Sequence, residues 1–249
     1  MKTPKCHDEE LNILIPMAGL GKRFSDRGFT NPKPLIDVDG VPMIERVINS
    51  LGIKGNYIFI LKKSKYSLDI KASIKNIKPN SLIREIDYTT QGPATTCNLV
   101  RDVIDSSSSL IIGNCDQIMW WNGGSFVNFC SYEEYDGVVV TYFCDETKNS
   151  YAKIDKYGMV TEIREKQVIS NISLNGIHYW KQGCDFISSY DKMVENNDRA
   201  PNGEFYVGPS YNYMIKEGKN IGIYHLPKIQ HHAVGTPDDL REYLRNEGS

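Results

Sequence analysis

A short stretch near the start of the chain combines two glycines, a basic pair and a lysine between two prolines. It reads ILIPMAGLGKRFSDRGFTNPKPL, from Ile13 to Leu35. Gly19 and Gly21 follow an apolar run, so backbone N–H groups in this loop can turn towards phosphate oxygens without a Cβ in the way. The stretch predicts a phosphate-binding loop, although an ordinary strand-to-loop turn with solvated charges explains it equally well.

Two familiar phosphate-binding motifs do not fit this loop. A dinucleotide fingerprint G-x-G-x-x-G requires glycine where Phe24 stands. A P-loop requires glycine at Pro16 and serine or threonine at Arg23. Both classes of nucleotide-binding site are therefore excluded.

The lysine of NPKPL has an unusually restricted backbone. Pro32 and Pro34 flank Lys33, fix φ on both sides and remove two backbone donors. A lysine with a restricted backbone is suited to bind a phosphate at one fixed position. The alternative is a rigid loop with a solvated lysine.

Two further segments have side chains suited to a nucleotide site. In LIIGNCDQIM, Asp116 follows an apolar strand, at the edge where parallel sheets bind ligands, and one carboxylate with substrate phosphates suits Mg²⁺. In TTQGPATTCNLV, Gly92 permits a close approach, Pro93 opens a helix and the Gln91 amide can pair with a base edge. A local Asp turn and an ordinary helix start are the alternatives.

The composition favours a globular protein with reduced thiols. The 249 residues carry 29 Lys+Arg against 31 Asp+Glu, so no global charge points to nucleic acid or membrane. Six cysteines without a C-x-x-C pair, together with five scattered histidines, disfavour zinc and a disulfide framework. Asn12 and Pro16 interrupt the N-terminal apolar run, which argues against a signal peptide. We expect a soluble, cytoplasmic protein.

Strand and helix patterns alternate through the first half of the chain. This predicts a doubly wound α/β domain with a mostly parallel sheet. From Asp136 the strands GVVVTYF, YAKIDKYGMVTEIRE and ISLNGIHYW predict a mixed β region packed on that sheet, with a hairpin turn at residues 156–158. We expect one domain over residues 1–249, with an NTP-binding half at 12–135 and an acceptor-binding half at 136–249.

The order of motifs resembles a known enzyme family. PMAGLGKRF, PKPL, QGPATT, NCD, REK, NGIHYW and VGTPDDL occur in the order of the NTP-transferase family, the sugar-phosphate nucleotidyltransferases and their cytidylyltransferase relatives. The resemblance runs from about Asn12 to Tyr243. It implies a Rossmann-like α/β/α fold of the GT-A-like type. It also implies Mg²⁺-dependent transfer of a nucleoside monophosphate from an NTP to a phosphorylated acceptor, with release of pyrophosphate.

The resemblance also assigns roles by position. The catalytic residues are Arg23 on the β- and γ-phosphates, Lys33 at the α-phosphate and Lys166 on the acceptor phosphate. The metal ligand is Asp116. Nucleotide binding falls to Ala18, Gly19, Leu20, Gly21, Lys22, Gln91, Gly92, Pro93, Ala94 and Cys115. Acceptor binding falls to Glu165, Asn175, Gly176, Glu204 and Tyr206.

Two departures from the family pattern bear on the substrates and the metal. Ala233 stands where many relatives carry a second metal aspartate, and whether Glu204 or His232 replaces it is open. RFSDRGFTNPKPL replaces the RLxPLT continuation of the thymidylyl and uridylyl enzymes, which favours CTP over UTP, dTTP or GTP. The expected acceptor is a sugar phosphate or a small alcohol phosphate, and the product a nucleotide-activated precursor of surface polysaccharide. Relatives of the family are often dimers, but the sequence leaves open whether this chain forms a homodimer.

Two other functions compete with this interpretation. Ala233 is compatible with a catalytically weak nucleotide-sugar binding protein, which the basic pair Arg23 and Lys33 argues against. A glycosyltransferase with a related sheet would need a D-x-D metal motif. NCD offers only Asp116, and the DVD at residues 37–39 is followed at once by the turn at Gly40.

Overall fold

The computed structural model describes residues 11–132, 135–147 and 149–247. Cys6 and the start of the segment considered for a signal peptide lie outside the described residues. Within the described ranges, none of the helices has the length and apolar character that crossing a membrane requires. The division into two halves of a single domain stays a prediction.

Thirteen strands are present in the described part of the chain. In chain order they are β1 (Leu11–Met17), β2 (Asp37–Val38), β3 (Val41–Pro42), β4 (Asn56–Lys62), β5 (Leu82–Ile86), β6 (Ser109–Ile112), β7 (Gln117–Met119), β8 (Gly137–Phe143), β9 (Ser150–Ile154), β10 (Val160–Glu165), β11 (Ile172–Trp180), β12 (Ile221–His225) and β13 (His231–Ala233). Nine of them form one sheet in the order β10-β9-β11-β6-β1-β4-β5, with β8 pairing β11 and β12. Two short pairs, β2 with β3 and β7 with β13, lie outside it.

The mixed strands of the second half continue the first sheet. Strands β6, β1, β4 and β5 run parallel, with Leu14 of β1 in register with both Ile112 and Ile58. Strand β11 pairs antiparallel with β6, placing His178 beside Ile112. The predicted mixed β region is therefore present, and it joins the first sheet through this pairing. The backbone N–H and C=O groups on this side of β6 form hydrogen bonds with β11, so β6 is not an edge strand.

Helices cover both faces of the sheet. They are α1 (Lys22–Ser25), α2 (Met43–Leu51), α3 (Ser67–Ile77), α4 (Pro93–Asn98), α5 (Arg101–Ile104), α6 (Gly123–Tyr132), α7 (Gly183–Glu195), α8 (Tyr211–Lys216) and α9 (Pro237–Glu247). Along β1, Ile13 and Ile15 belong to a core shared with α2, α3, α6 and α9, whereas Leu14 belongs to a core shared with α4, α5, α7 and α8. This alternation buries a parallel strand on both faces. The predicted Rossmann-like α/β/α fold class is confirmed.

The helix that Pro93 opens is short. Helix α4 ends at Asn98 and α5 begins at Arg101. In a continuous helix the N–H of Val103 would donate to the Leu99 carbonyl, but it donates to the Val100 carbonyl at 2.9 Å. The Arg84 guanidinium donates to the Leu99 carbonyl. A side chain distant in sequence thus binds the chain where the two helices meet.

Two features of the structure depend on local sequence. The predicted hairpin between β9 and β10 is confirmed, and it turns at residues 156–158, where Gly158 has φ +84°. The last helix begins at Pro237, and the Thr236 hydroxyl accepts a hydrogen bond of 3.1 Å from the Asp239 N–H. Both features rest on residues close in sequence.

Candidate active site

The phosphate-loop candidates lie at the carboxyl ends of two adjacent parallel strands. The loop from Ala18 to Gly21 follows β1, and Asp116 lies four residues beyond the end of β6. Strands β1 and β6 are neighbours in the sheet, so these segments meet at the same edge. This is the edge at which open α/β sheets bind ligands.

Lys33 and Asp116 form an ion pair at this edge. A single turn of 3₁₀ helix, Lys33–Leu35, follows Pro32, and the Lys33 ammonium donates directly to Asp116 Oδ2. Their side chains are 18% and 28% exposed, so the pair is partly buried. Gly21 has φ +62°, and a Cβ on it would lie 3.4 Å from Lys33 Cβ. The glycine loop and the lysine are thus packed against each other.

Opposite charge keeps both partners of the pair ionised. Burial alone raises the pKa of the Asp116 carboxyl, but Lys33 and then Arg23 lower it more, so the pKa lies below its usual range. Burial alone lowers the pKa of Lys33, but Asp116 raises it above its usual value. The site therefore holds a fixed cation and a fixed anion with Arg23 near enough to act on both.

One cleft joins Asp116 of this pair to the second half of the chain. It has a volume of about 520 Å³. The residues of its wall that the sequence had singled out as site residues are Arg23, Pro93, Asp116, Glu165, Lys166, Asn175, Gly176 and Tyr206. The structure therefore brings together the phosphate-loop arginine, the candidate metal ligand and the candidate acceptor lysine.

The acceptor end of the cleft is built around Lys166. This residue follows β10 with φ +55°, an uncommon value for a residue other than glycine. Its ammonium donates to the Tyr206 hydroxyl at 2.7 Å. The Asn202 amide also donates to that hydroxyl, at 3.0 Å. Lys166 is thus a second positioned cation, on the wall of the cleft that Arg23 and Asp116 also line.

Glu165 lies beside Lys166 and is 8% exposed. The Ser150 hydroxyl donates to its carboxyl group. Burial raises the pKa of this carboxyl, while Ser150 and Lys166 oppose the shift and the nearby Glu204 adds to it. The carboxyl therefore binds its proton more tightly in the folded protein than in the unfolded chain, whose carboxyl titrates near pH 4.3.

Glu165→Gln is expected to gain stability relative to the wild type as the pH rises. Because the folded pKa of Glu165 is raised, its contribution to stability is present below about pH 4.3 and is lost as the pH rises through the folded pKa. The difference in free energy of unfolding should grow by about 1.4 kcal/mol for each pH unit that separates the folded and unfolded pKa values. Urea unfolding across about pH 4 to 8 measures it. Glu162→Gln is the control, because Arg164 lowers the pKa of Glu162 and this variant should lose stability relative to the wild type as the pH rises. A stability difference for Glu165→Gln that stays flat or falls with rising pH would contradict the prediction.

The segment predicted to bind the base is held by the chain itself. A Cβ on Gly92 would lie 2.4 Å from the Phe205 carbonyl oxygen, so the close approach at this glycine is made by backbone and not by a ligand. Ala94 is fully buried and its N–H donates to that carbonyl at 3.0 Å. The Gln91 amide oxygen accepts from Arg199 at 2.8 Å. The structure therefore places Gly92 and Ala94 in the core beneath the cleft, whereas the NH₂ group of Gln91 remains the part suited to a base edge.

The remaining predicted residues differ in how they face solvent. Ala18 is buried, whereas Gly19 and Lys22 are exposed and Leu20 is 55% exposed.

Burial raises the pKa of the Cys115 thiol to about 11, with Lys33 opposing the shift. Cys115 is thus neutral and lies directly beside the ion pair. The described cysteines, which are Cys97, Cys115, Cys130, Cys144 and Cys184, are all free thiols, in line with the expectation of no disulfide framework.

The candidate metal ligands are fewer than the family pattern has. Ala233 lies on β13 opposite Gln117, next to Asp116, and adds no carboxylate. The His232 ring packs on Trp120 at 4.1 Å, and the His231 ring packs on Tyr142 at 4.4 Å. Among the described residues, no three His, Cys, Asp or Glu side chains cluster as a ready metal site. Asp116 is therefore the predicted metal ligand that the structure places at the phosphate-loop edge.

Several cleft residues were not predicted from the sequence. Asn114 packs against Gly176, whose φ is +92° and where a Cβ would lie 2.1 Å from the amide nitrogen. His178 lines the wall from β11, whose pairing with β8 has an irregularity between Leu174 and His178, and Asp239 and Glu242 reach the wall from α9. NGI in the β11 motif carries a glycine signal for such an irregularity, but the α9 carboxylates have no local signal because only the packing of the last helix brings them to the cleft.

Comparison with known proteins agrees with the sequence resemblance. No protein-family model matches the chain. It is 53% identical over 47 residues to a 2-aminoethylphosphonate cytidylyltransferase of Lancefieldella rimae, a match that spans only 19% of each chain. It is 25% identical over 198 residues to the choline-phosphate cytidylyltransferase of Haemophilus influenzae, covering 79% of this chain and 80% of the relative.

A solved structure has the same fold over nearly the whole length. The nucleoside-diphosphate-sugar pyrophosphorylase of Vibrio cholerae RC9 superposes with a TM-score of 0.83 at 24% identity, covering 94% of this chain and 99% of that one. The resemblance to NTP-transferase nucleotidyltransferases is thereby confirmed.

Proposed function

We propose that this chain, which resembles the NTP-transferase nucleotidyltransferases in sequence and fold, transfers a nucleoside monophosphate from an NTP to a phosphorylated acceptor. An acceptor phosphate oxygen would attack the α-phosphorus, the bond from that phosphorus to the bridging oxygen would break, and pyrophosphate would leave. The observation that carries the proposal is the single cleft that joins Arg23 and the Lys33–Asp116 pair to Lys166. Two anionic substrates need cations at both ends of one cavity.

The charges of the site suit phosphoryl transfer. This reaction asks little covalent chemistry of a protein, and catalysis comes from positioning and from charge that is fixed in advance. Lys33, held by its prolines and by Asp116, would stabilise charge at the α-phosphate. Arg23 would hold the leaving end of the triphosphate, while Lys166 would orient the acceptor phosphate.

The donor set at Asp116 is compatible with Mg²⁺. A magnesium ion takes one or two carboxylates and completes its shell with phosphates and water. Gly235 has no Cβ, and one would lie 2.7 Å from Asp116 Oδ2, so the chain leaves room for this carboxylate. We propose that Asp116 holds the ion together with substrate oxygens. Bound there, the ion would neutralise negative charge on the phosphates.

We infer that CTP is the nucleotide and that the acceptor is a small alcohol phosphate or phosphonate. The names of both curated relatives are those of cytidylyltransferases, and their named acceptors are choline phosphate and 2-aminoethylphosphonate. A sugar phosphate is the second candidate, since the relative from Vibrio cholerae is named for nucleoside-diphosphate sugars. Supply of activated precursors for surface polysaccharide, a cytoplasmic location and a homodimer belong to the same proposal.

A panel of substrates tests the function directly. Pyrophosphate release is measured with Mg²⁺ and each of CTP, UTP, dTTP and GTP against choline phosphate, 2-aminoethylphosphonate, glycerol 3-phosphate and glucose 1-phosphate. We expect the highest rate with CTP and one of the first three acceptors. A preference for UTP or dTTP with the sugar phosphate would overturn the choice of substrates. Nucleotide binding without pyrophosphate release from any pair would favour the weak nucleotide-binding protein that Ala233 suggests.

Lys166→Ala is expected to raise the KM for the acceptor at least about tenfold and to lower kcat, with CTP affinity retained. The reason is that the Lys166 ammonium lies beside Tyr206 in the cleft, whereas the resemblance assigns the triphosphate to Arg23 and the phosphate loop. A charge-assisted hydrogen bond to phosphate is worth a loss of this size. Steady-state kinetics with each substrate varied in turn measure the effect, and Lys153→Ala on the neighbouring strand is the exposed-lysine control. Unchanged acceptor kinetics would remove Lys166 from the site.

A further inference from the structure

His178 forms part of the cleft wall although nearly all of its side chain is buried. It lies on β11 and is 5% exposed. Its ring packs against the rings of Tyr211 and Trp180, with centroids 5.9 Å and 6.0 Å away. These aromatic contacts fix the plane of the imidazole. The ring is therefore held in place before any ligand arrives.

The Nδ1 atom of His178 is buried and neither accepts nor donates a hydrogen bond in the described part of the chain. Buried polar atoms in proteins are nearly always paired, so one without a partner calls for an explanation. The ring also lines the cleft. An imidazole that lines a cavity and has a nitrogen that the described part of the chain leaves unpaired is suited to pair with a group that enters the cavity.

The pairing of β11 places His178 beside the end of β6. His178 pairs with Ile112, the last residue of β6, which is the strand that leads to Asp116. Two residues earlier, Gly176 takes φ +92°, where the register of β11 with β8 shifts between Leu174 and His178. His178 is therefore close in the sheet both to the acceptor segment at Asn175 and Gly176 and to the strand that leads to the phosphate-loop edge.

The imidazole is neutral at physiological pH. Burial lowers the pKa of His178 to about 3. A neutral imidazole offers one donor and one acceptor and no charge. Beside it on the cleft wall is the apolar Ile112, its partner in the sheet. A buried, neutral imidazole disfavours a phosphate or a carboxylate against the ring, because the anion would need a positive partner that burial opposes.

We propose that His178 is a substrate-binding residue whose imidazole hydrogen-bonds a neutral hydroxyl group of a bound substrate. This inference rests on the proposed function. A hydroxyl both donates and accepts, so it pairs with either tautomer of the ring. Two substrates can supply it: the ribose of the nucleotide and a hydroxyl-bearing acceptor. The residue then contributes to specificity, since a site built to bond a hydroxyl rejects the analogue that lacks it.

The nucleotide arm of the test measures binding without turnover. Calorimetry gives the affinities of CTP, 2′-deoxy-CTP and 3′-deoxy-CTP for the wild type, His178→Phe and His178→Asn. If the ribose is the partner, His178→Phe should weaken CTP about tenfold, the size expected for one hydrogen bond between neutral groups, and should leave the matching deoxy analogue unchanged. The asparagine, which keeps a polar amide near the Nδ1 position, should restore part of the difference.

The acceptor arm uses a pair of acceptors that differ in a hydroxyl. Glycerol 3-phosphate carries free hydroxyls and choline phosphate carries none. If the acceptor is the partner, His178→Phe should raise the KM for glycerol 3-phosphate about tenfold and leave the KM for choline phosphate unchanged. A loss of general stability would affect both acceptors alike, so the comparison separates recognition from packing.

His225→Phe is the matched control. His225 is a second histidine whose pKa burial lowers, but it bonds Thr141 Oγ1 at 3.2 Å and packs on Phe143. We expect it to leave all of these constants unchanged. If wild type binds CTP and turns over but His178→Phe shows no hydroxyl-dependent loss in either arm, the inference is overturned and the ring holds at most a water molecule. If wild type neither binds the nucleotides nor releases pyrophosphate, the proposed function fails, and the inference falls with it.

Discussion

Lys33→Ala is expected to lower kcat by at least about three orders of magnitude while the protein stays folded. Removing one preorganised group that stabilises transition-state charge typically costs a factor of about 100 to 1000, and this lysine is expected to act on the phosphorus where the bond changes occur. The charge of Asp116 raises the pKa of Lys33 above its usual value, so Lys33 is cationic throughout a neutral assay range. A change of pH within that range therefore does not reproduce the effect of the substitution. Pyrophosphate release under saturating substrates measures the loss.

The stability of the Lys33→Ala protein must be measured beside its activity. The variant leaves Asp116 without its partner, but that carboxylate is 28% exposed and Arg23 also lowers its pKa, so unfolding should need only slightly less heat or urea. Lys54→Ala, an exposed lysine away from the cleft, is the control for removing one positive charge. If the purified Lys33 variant is folded and retains near wild-type kcat, the proposed role of Lys33 is wrong.

Asp116→Asn is expected to lower kcat about 100-fold or more and to raise the Mg²⁺ concentration needed for half-maximal rate. The amide keeps the shape of the side chain but removes the charge that a hard cation prefers. It also removes the anion that holds the Lys33 ammonium in place. A titration of rate against Mg²⁺ measures both effects. An unchanged Mg²⁺ requirement with a reduced kcat would mean that Asp116 positions Lys33 and does not bind the metal.

The double variant Lys33→Ala/Asp116→Asn sharpens the assignment. Residues that act as one unit show strongly non-additive losses. Because Lys33 and Asp116 contact each other directly, the double variant should be about as impaired as the worse single variant. Losses that multiply would instead indicate two independent roles.

The site depends on a balance between rigidity and charge. The prolines restrict the Lys33 backbone, Gly21 allows the phosphate loop to pack against it, and Asp116 holds its ammonium. A cation in a fixed position needs little reorganisation when a phosphate arrives, which is the source of electrostatic catalysis in water-excluded clefts. The same arrangement disfavours binding two phosphates without a metal, because Asp116 adds negative charge to the cleft.

Short-range patterns in the sequence determined the alternating α/β architecture and the loop after β1. Three features follow from residues close in the chain: the alternation of β1 side chains between the two cores, the hairpin around Gly158 and the Thr236 cap. Asp116 belongs to the same class, because the end of an apolar strand is visible in the sequence and parallel strands end at one edge. Such features depend on local geometry and burial, which one chain segment encodes by itself.

Only the tertiary structure decided which distant segments meet. Lys33 and Asp116 are 83 positions apart, Gly92 makes room for the backbone of Phe205, and Arg84 donates to the Leu99 carbonyl between α4 and α5. His178 lines the cleft from β11, which pairs antiparallel with β6. These contacts depend on strand pairing and packing between segments far apart in sequence. Many pairing partners are compatible with the same local pattern, and the packing of the whole core determines which of them is used.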